Sequence, residues 1–250
     1  MARSVVLAGT ERCPGCQIPP RWCICAALNP VVTPLRIDVL LHRREQWRPT
    51  STGKLIGRAL AGSGSHVFDR NRPLESTEVV DPARELWILH PRGEPLPSDP
   101  ALQPDPSRIQ VLLLDGSWNE AGQMLREFES WGRPVGLPLT GPSRYWLREQ
   151  QGEGHLSTVE ALIGLFTVLD LPAPAQRLQL HFELHVYASL RARGRLAEAA
   201  RYLSTSPIRD ALPHFLELLH ERRPNPSLPR ISPLSGSPTD SPLSPAPPHP

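Results

Sequence analysis

At 250 residues the chain is long enough for one substantial core, or for a core with a small appendage. It is 39 % hydrophobic and 21 % charged, with a net charge of +2, a globular composition that permits a nucleic-acid partner without requiring one. No apolar run is long enough to span a bilayer, and MARSVVLAGTERCPGC has too brief an apolar patch for a secretory signal, so a cytoplasmic location is expected.

The four cysteines of the chain come first. Cys13, Cys16, Cys23 and Cys25 fall within thirteen residues with the spacing C-x2-C-x6-C-x-C. In a reducing compartment such crowding favours a metal over disulfides. The Cys13-Pro14-Gly15-Cys16 turn lets two thiolates converge on one tetrahedral ion, so a structural zinc knuckle is expected over 10–30. With four protein ligands the ion has no open position for catalysis.

Residues 36–41 read as a first strand, followed by a basic loop, His42 to Pro49. From Ser51 or Thr52 the spacing of Leu55, Ile56, Ala59 and Leu60 predicts a helix, ended by Gly62-Ser63-Gly64. A strand over 85–90 is closed by Pro91. A third, 109–114, is a buried apolar run that stops at Asp115-Gly116-Ser117-Trp118, and a helix over about 118–130 follows. A short strand is expected at 134–139 and a flexible glycine loop at 152–156. Ser157-Thr158-Val159-Glu160 is a capping box opening a helix that Pro172 and Pro174 stop, and two or three more helices fill 176–222. Strands alternating with helices predict an α/β fold with a mostly parallel sheet covered by helices. From about Pro224 the chain is proline, serine and small polar residues, a composition expected to be disordered.

The chain has no G-x-x-x-x-G-K-[ST] loop, no G-x-G-x-x-G after a strand and no G-x-S-x-G elbow; Thr52-Gly53-Lys54 is only a fragment of the first. What remains is a small-ligand pocket at the strand ends, where open α/β sheets bind ligands. Residues 42–48, 115–118 and 152–160 can converge there. A glycine loop and a helix start suit a ligand with a carboxylate and a flat aromatic part, a description that S-adenosylmethionine meets along with many other metabolites.

C-P-x-C with two later cysteines, then V-L-L-H-x-x-E, D-x-[ST]-W and L-S-T-x-E-A, in that order, resemble the DTW-domain family of tRNA-uridine aminocarboxypropyltransferases. The likeness runs from about Cys13 to Leu169, with a weaker helical extension to about 220. It implies a SPOUT-like fold, a class whose cofactor pocket lies near a knotted region, and a division into a knuckle (10–30), a catalytic domain (31–222) and a tail (223–250). It also implies transfer of the 3-amino-3-carboxypropyl group of S-adenosylmethionine to N3 of a tRNA uridine, releasing 5′-methylthioadenosine. Two positions depart from the family pattern. Ser117 stands for threonine, as in related ribosomal-RNA enzymes, and Arg43 stands where proline follows the histidine.

On this resemblance Asp115 is the candidate base or a ligand of the cofactor's ammonium group. His42 and Glu45 line the uridine side. Gly116, Ser117, Trp118, Leu156, Ser157 and Thr158 hold the cofactor, with Trp118 as a wall and the two hydroxyls on its carboxylate. Arg43, Arg44, Trp47 and Arg48, with Arg144 and Arg148, supply phosphate and base contacts to RNA. The competing readings are a SPOUT-type RNA methyltransferase, a ribosomal-RNA aminocarboxypropyltransferase and a non-enzymatic zinc-containing RNA-binding module. No feature sets the oligomeric state.

Overall fold

The computed structural model describes residues 11–48, 50–97, 103–139, 141–148 and 156–221. The glycine loop before Leu156 and the proline-rich tail lie outside them.

Five strands form one sheet: β1 (Arg36–His42), β2 (Gly64–Phe68), β3 (Glu85–Pro95), β4 (Ile109–Asp115) and β5 (Arg133–Gly136). Their order is β2-β1-β4-β3-β5 and every pairing is parallel. A parallel sheet is covered on both faces, which is why its central strands are near-continuous apolar runs. All seven residues of β4 are buried.

Alternation along the strands sorts the side chains into two layers. Ile37, Val39, Leu41, Trp87, Leu89, Val111 and Leu113 join one cluster. Packed on that face are α1 (Thr52–Ala59), α4 (Thr158–Val168) and α5 (Pro172–Ala192). Leu40, Leu86, Ile88, Leu112 and Leu114 face the other way, against Val79 of α2 (Ser76–Val79) and Met124, Leu125 and Phe128 of α3 (Trp118–Phe128). Three shorter helices, α6 (Leu196–Ser204), α7 (Ile208–Ala211) and α8 (Pro213–Glu221), complete the first layer.

Several boundaries differ from the sequence reading. The Gly62–Gly64 stop is followed at once by β2, whose Gly-Ser-His-Val-Phe lacks an apolar run because it is an edge strand. Gly64 is required there: a Cβ would lie 1.8 Å from Asp38 Oδ1. That carboxylate is buried between strands and accepts hydrogen bonds from His66, Gln110 and Arg36. Burial alone would raise it, but these partners hold it below the usual carboxylate range.

Pro91 does not close β3, which runs on to Pro95; the register shifts between Leu89 and Glu94, so the proline sits in an irregularity where no ladder bond is lost. β5 ends at Gly136, not 139. Pro172 opens α5 instead of only stopping α4, since the first helical turn needs no backbone N–H partner. Among the described residues four helices run from Pro172 onward, where two or three were expected over 176–222.

Candidate functional site

The four cysteines are free and brought together, their sulfurs all within 4.8 Å of one another. Cys13–Cys25 and Cys23–Cys13 sulfurs are 3.5 Å apart, and Cys16–Cys23 3.8 Å. Tetrahedral zinc with bonds of about 2.3 Å has edges of about 3.8 Å, so the donor set fits that ion. A Cβ at Gly15 would lie 2.8 Å from Cys25 Sγ, which explains the glycine in the turn.

The knuckle is seated in the main core. Ile18 and Ile24 are buried beside Cys16 and Cys23. The guanidinium groups of Arg21 and Arg191 stack on the Trp22 ring, 4.3 and 4.7 Å from its centre. Arg21 also donates to the carbonyls of Leu219 and His220 at the end of α8. From α1, Arg58 Nη1 donates to the Cys16 carbonyl at 2.8 Å. Burial draws Arg58 below its ordinary range, while the Cys16, Cys25 and Cys13 sulfurs oppose that. A cation beside four sulfurs offsets the negative charge of a four-thiolate metal site.

The second site lies at the carboxyl end of the sheet. Alternation puts Asp115 on the face of α1 and α4, with Val111 and Leu113. Only 2 % of Asp115 is exposed. Ser51 Oγ–H donates to its Oδ2 at 2.7 Å, and Gly53 N–H and Thr158 Oγ–H to its Oδ1 at 3.1 and 2.7 Å. Ser51 is the N-cap of α1 and Thr158 the first residue of α4. The carboxylate therefore joins β4 to two positive helix ends. Gly53 permits this approach, since a Cβ would fall 2.7 Å from the Asp115 carboxyl carbon.

Next to Asp115, which does not itself line it, opens a cleft walled by Leu113, Leu114, Pro91, Leu137 and Leu139. Of the ligand residues expected from sequence, Gly116, Trp118, Leu156, Ser157 and Thr158 line it. Ser117 instead caps α3, in a reciprocal box with Glu120. Ser157 caps α4 in the same way with Glu160, as its sequence pattern implies. Glu160 additionally accepts from Ser143 and from the Arg144 N–H, tying 141–148 to α4.

His42 ends β1, one residue past the partner of Asp115, and its Nδ1 is 3.2 Å from Glu120 Oε1. Burial alone would raise the Glu120 carboxyl, but the Ser117 bonds and the neighbouring His42 and Arg48 hold it below its ordinary value. Glu45 is fully buried between Arg48 and Arg148. Burial pushes its carboxyl up against the pull of both arginines.

The two basic clusters read from the sequence are built differently. Arg43, Arg44 and His42 line a groove with Arg70 and Asn71, where Arg43 pairs with Asp69 at 3.2 Å and Arg44 with Glu120 at 3.6 Å, both largely exposed, and Trp47 of the same turn is 83 % exposed. Arg144, by contrast, makes a two-pronged ion pair with buried Glu183 and stacks on Tyr202. Arg148 lines the cleft while bonded to Glu45.

Sequence reasoning did not find Ser51, Gly53, Thr52 or His90. Thr52-Gly53-Lys54 resembled a fragment of a phosphate loop, yet the partner of Gly53, and of Ser51 before it, is a carboxylate of the protein itself. His90 repeats on β3 the signal that marked Asp115 on β4: a polar residue where a buried strand ends.

A family model described as the DTW domain matches residues 10–190, which include both sites. The chain is 26 % identical over 185 residues to tRNA-uridine aminocarboxypropyltransferase 2 of Drosophila melanogaster, spanning 70 % of this chain and 72 % of that protein. No solved structure matches.

Proposed function

The chain belongs to the DTW domain family, and on that premise we propose that it is a tRNA-uridine aminocarboxypropyltransferase using S-adenosylmethionine. The observation that carries this reading is the convergence of the starts of α1, α3 and α4 on one strand-end cleft containing a flat aromatic side chain. S-adenosylmethionine supplies the transferred group: a bond forms from uridine N3 to the γ-carbon, the carbon–sulfur bond breaks, and 5′-methylthioadenosine and a proton leave.

The chain's own residues fit the parts of that ligand. The start of α4, with Ser157, Thr158 and nearby Arg148, suits the carboxylate. Trp118 suits the adenine face, with Gly116 and Leu156 beside it. Asp115 holds α1 and α4 against β4, and with both oxygens occupied it positions the cleft without taking the uridine proton. His42, oriented by Glu120, is the base in this reading. Glu45 holds Arg148. The groove of Arg43, Arg44 and Arg70, with Arg48 and exposed Trp47, is where phosphates and a splayed base of tRNA bind. Zinc in the knuckle is structural. Among the described residues no helix is long and apolar enough to cross a membrane.

The test is incubation of the zinc-loaded protein with S-adenosylmethionine and unmodified tRNA, followed by nucleoside mass spectrometry. Aminocarboxypropyl-uridine and 5′-methylthioadenosine are expected. S-adenosylhomocysteine would mean methyl transfer instead, and tRNA binding without cofactor binding would leave a zinc-containing RNA-binding module.

A further inference from the structure

His90 belongs to none of the roles above. It sits at the carboxyl end of the regular part of β3, beside β4, and lines the same cleft. Alternation places it with Leu86 and Ile88, on the α3 side of the sheet, the side of Trp118 and Ala121. The start of α4 and Asp115 lie on the other side. It is 5 % exposed. Its Nδ1 accepts a hydrogen bond from the Arg92 N–H at 3.1 Å. In a neutral ring the proton then sits on Nε2. That Nε2 is buried and has no hydrogen-bond partner among the described residues. Native proteins seldom leave such a donor unpaired, and one that lines a cleft is available to an acceptor that enters it.

We propose that His90 is a ligand-binding residue that donates its Nε2–H to an acceptor on the nucleoside half of the co-substrate, a purine ring nitrogen or a ribose oxygen. The inference rests on the S-adenosylmethionine reading above. Three features support the nucleoside half. His90 shares a face with Trp118, whose ring suits a purine. The α4 end and Arg148 already suit the carboxylate across the sheet edge. Burial and the Arg92 charge hold His90 below its ordinary range, so it stays uncharged and does not repel a sulfonium.

The test is calorimetry on the full zinc-loaded chain with two probes, S-adenosylmethionine and 5′-methylthioadenosine, which lacks the amino-acid part. His90→Phe is expected to weaken both roughly tenfold, the loss of one hydrogen bond to a buried donor. His90→Gln, which keeps a donor, is expected to restore most of that affinity. Unchanged binding of both probes by His90→Phe overturns the proposal. So does a loss confined to S-adenosylmethionine, which would put the acceptor on the amino-acid half. If the wild-type chain binds neither probe, the transferase reading falls and takes this one with it. Should His90→Phe fail to fold, the wild-type protein labelled with nitrogen-15 histidine decides. The His90 Nε2 resonance must report the Nε2–H form and move when 5′-methylthioadenosine is added; a resonance that stays in place overturns the assignment.

Discussion

The metal knuckle and the strand-end cleft are two polar sites set against one hydrophobic cluster, assembled over very different lengths of chain. The knuckle gathers four sulfurs from thirteen consecutive residues, so little loop entropy opposes its closure. The cleft depends on Asp115, whose donors come from 64, 62 and 43 residues away. Those groups meet only because β1 and β4 are neighbours and both α1 and α4 start at the carboxyl end of the sheet. The two sites should accordingly fail in different ways, the first by losing the convergence of its sulfurs and the second by losing its alignment. α1 connects them. Its first turn holds Asp115 and its last turn, through Arg58, holds the Cys16 carbonyl, with about 8 Å of helix between.

The largest effect is expected from the knuckle. Cys16→Ser, or stripping the metal with a chelator, should cost several kcal/mol, a large part of a domain's total stability. Thermal melts alongside elemental analysis for zinc check this. An unchanged melting temperature with no zinc bound would show that the sulfurs need no ion.

A smaller effect on stability and a larger one on function is expected at the cleft. Asp115→Ala leaves three donors without an acceptor and should cost roughly 3 kcal/mol, with transfer abolished. Asp115→Asn separates holding from proton transfer. Its amide oxygen can serve Gly53 and Thr158, and the Ser51 hydroxyl can turn to accept from the amide. Measurable transfer by Asp115→Asn is expected if Asp115 holds the cleft together. Complete loss in a normally melting Asn variant would make the carboxylate the base.

The third effect tests whether acid reaches the knuckle side of the core. His185 of α5 is buried there, and burial together with Arg58 and Arg193 pushes it down to about 3. In the unfolded chain it titrates near 6.5. Between those values the unfolded state binds the extra proton, so this contribution to stability is complete above about pH 6.5 and lost as pH falls toward 3. Roughly 2 kcal/mol should go between pH 6.5 and 5. Urea titrations at both values, on the wild type and on His185→Phe, check it. Equal pH slopes in the two proteins would remove His185 as the cause.

The same contrast explains how much was readable in the sequence. The cysteine quartet, the buried run of β4 and the Ser157 cap are local patterns, and each appears in the structure near its expected place. Ser51 and Gly53 were missed as partners of Asp115 because nothing local joins residue 51 to residue 115; a sheet crossover does. β2 was missed because an edge strand needs only one buried side, and its glycine answers to Asp38 on the neighbouring strand. Pro91 and Pro172 misled because a proline tells which hydrogen bond is missing, not whether the structure there needed one. Arg144 looked like a surface cation until Glu183, 39 residues on, turned out to be its partner.

The contact of Arg21 with the last carbonyls of α8 has a consequence for synthesis. The partners stand 198 and 199 positions apart. At ribosomal speeds of roughly 5–20 residues per second, the knuckle emerges on the order of ten seconds or more before the helix that clamps it. For that interval the turn that carries Arg21 lacks its final anchor. The order of translation thus leaves the four-cysteine segment to close by its own short-range contacts long before its last tertiary clamp is made.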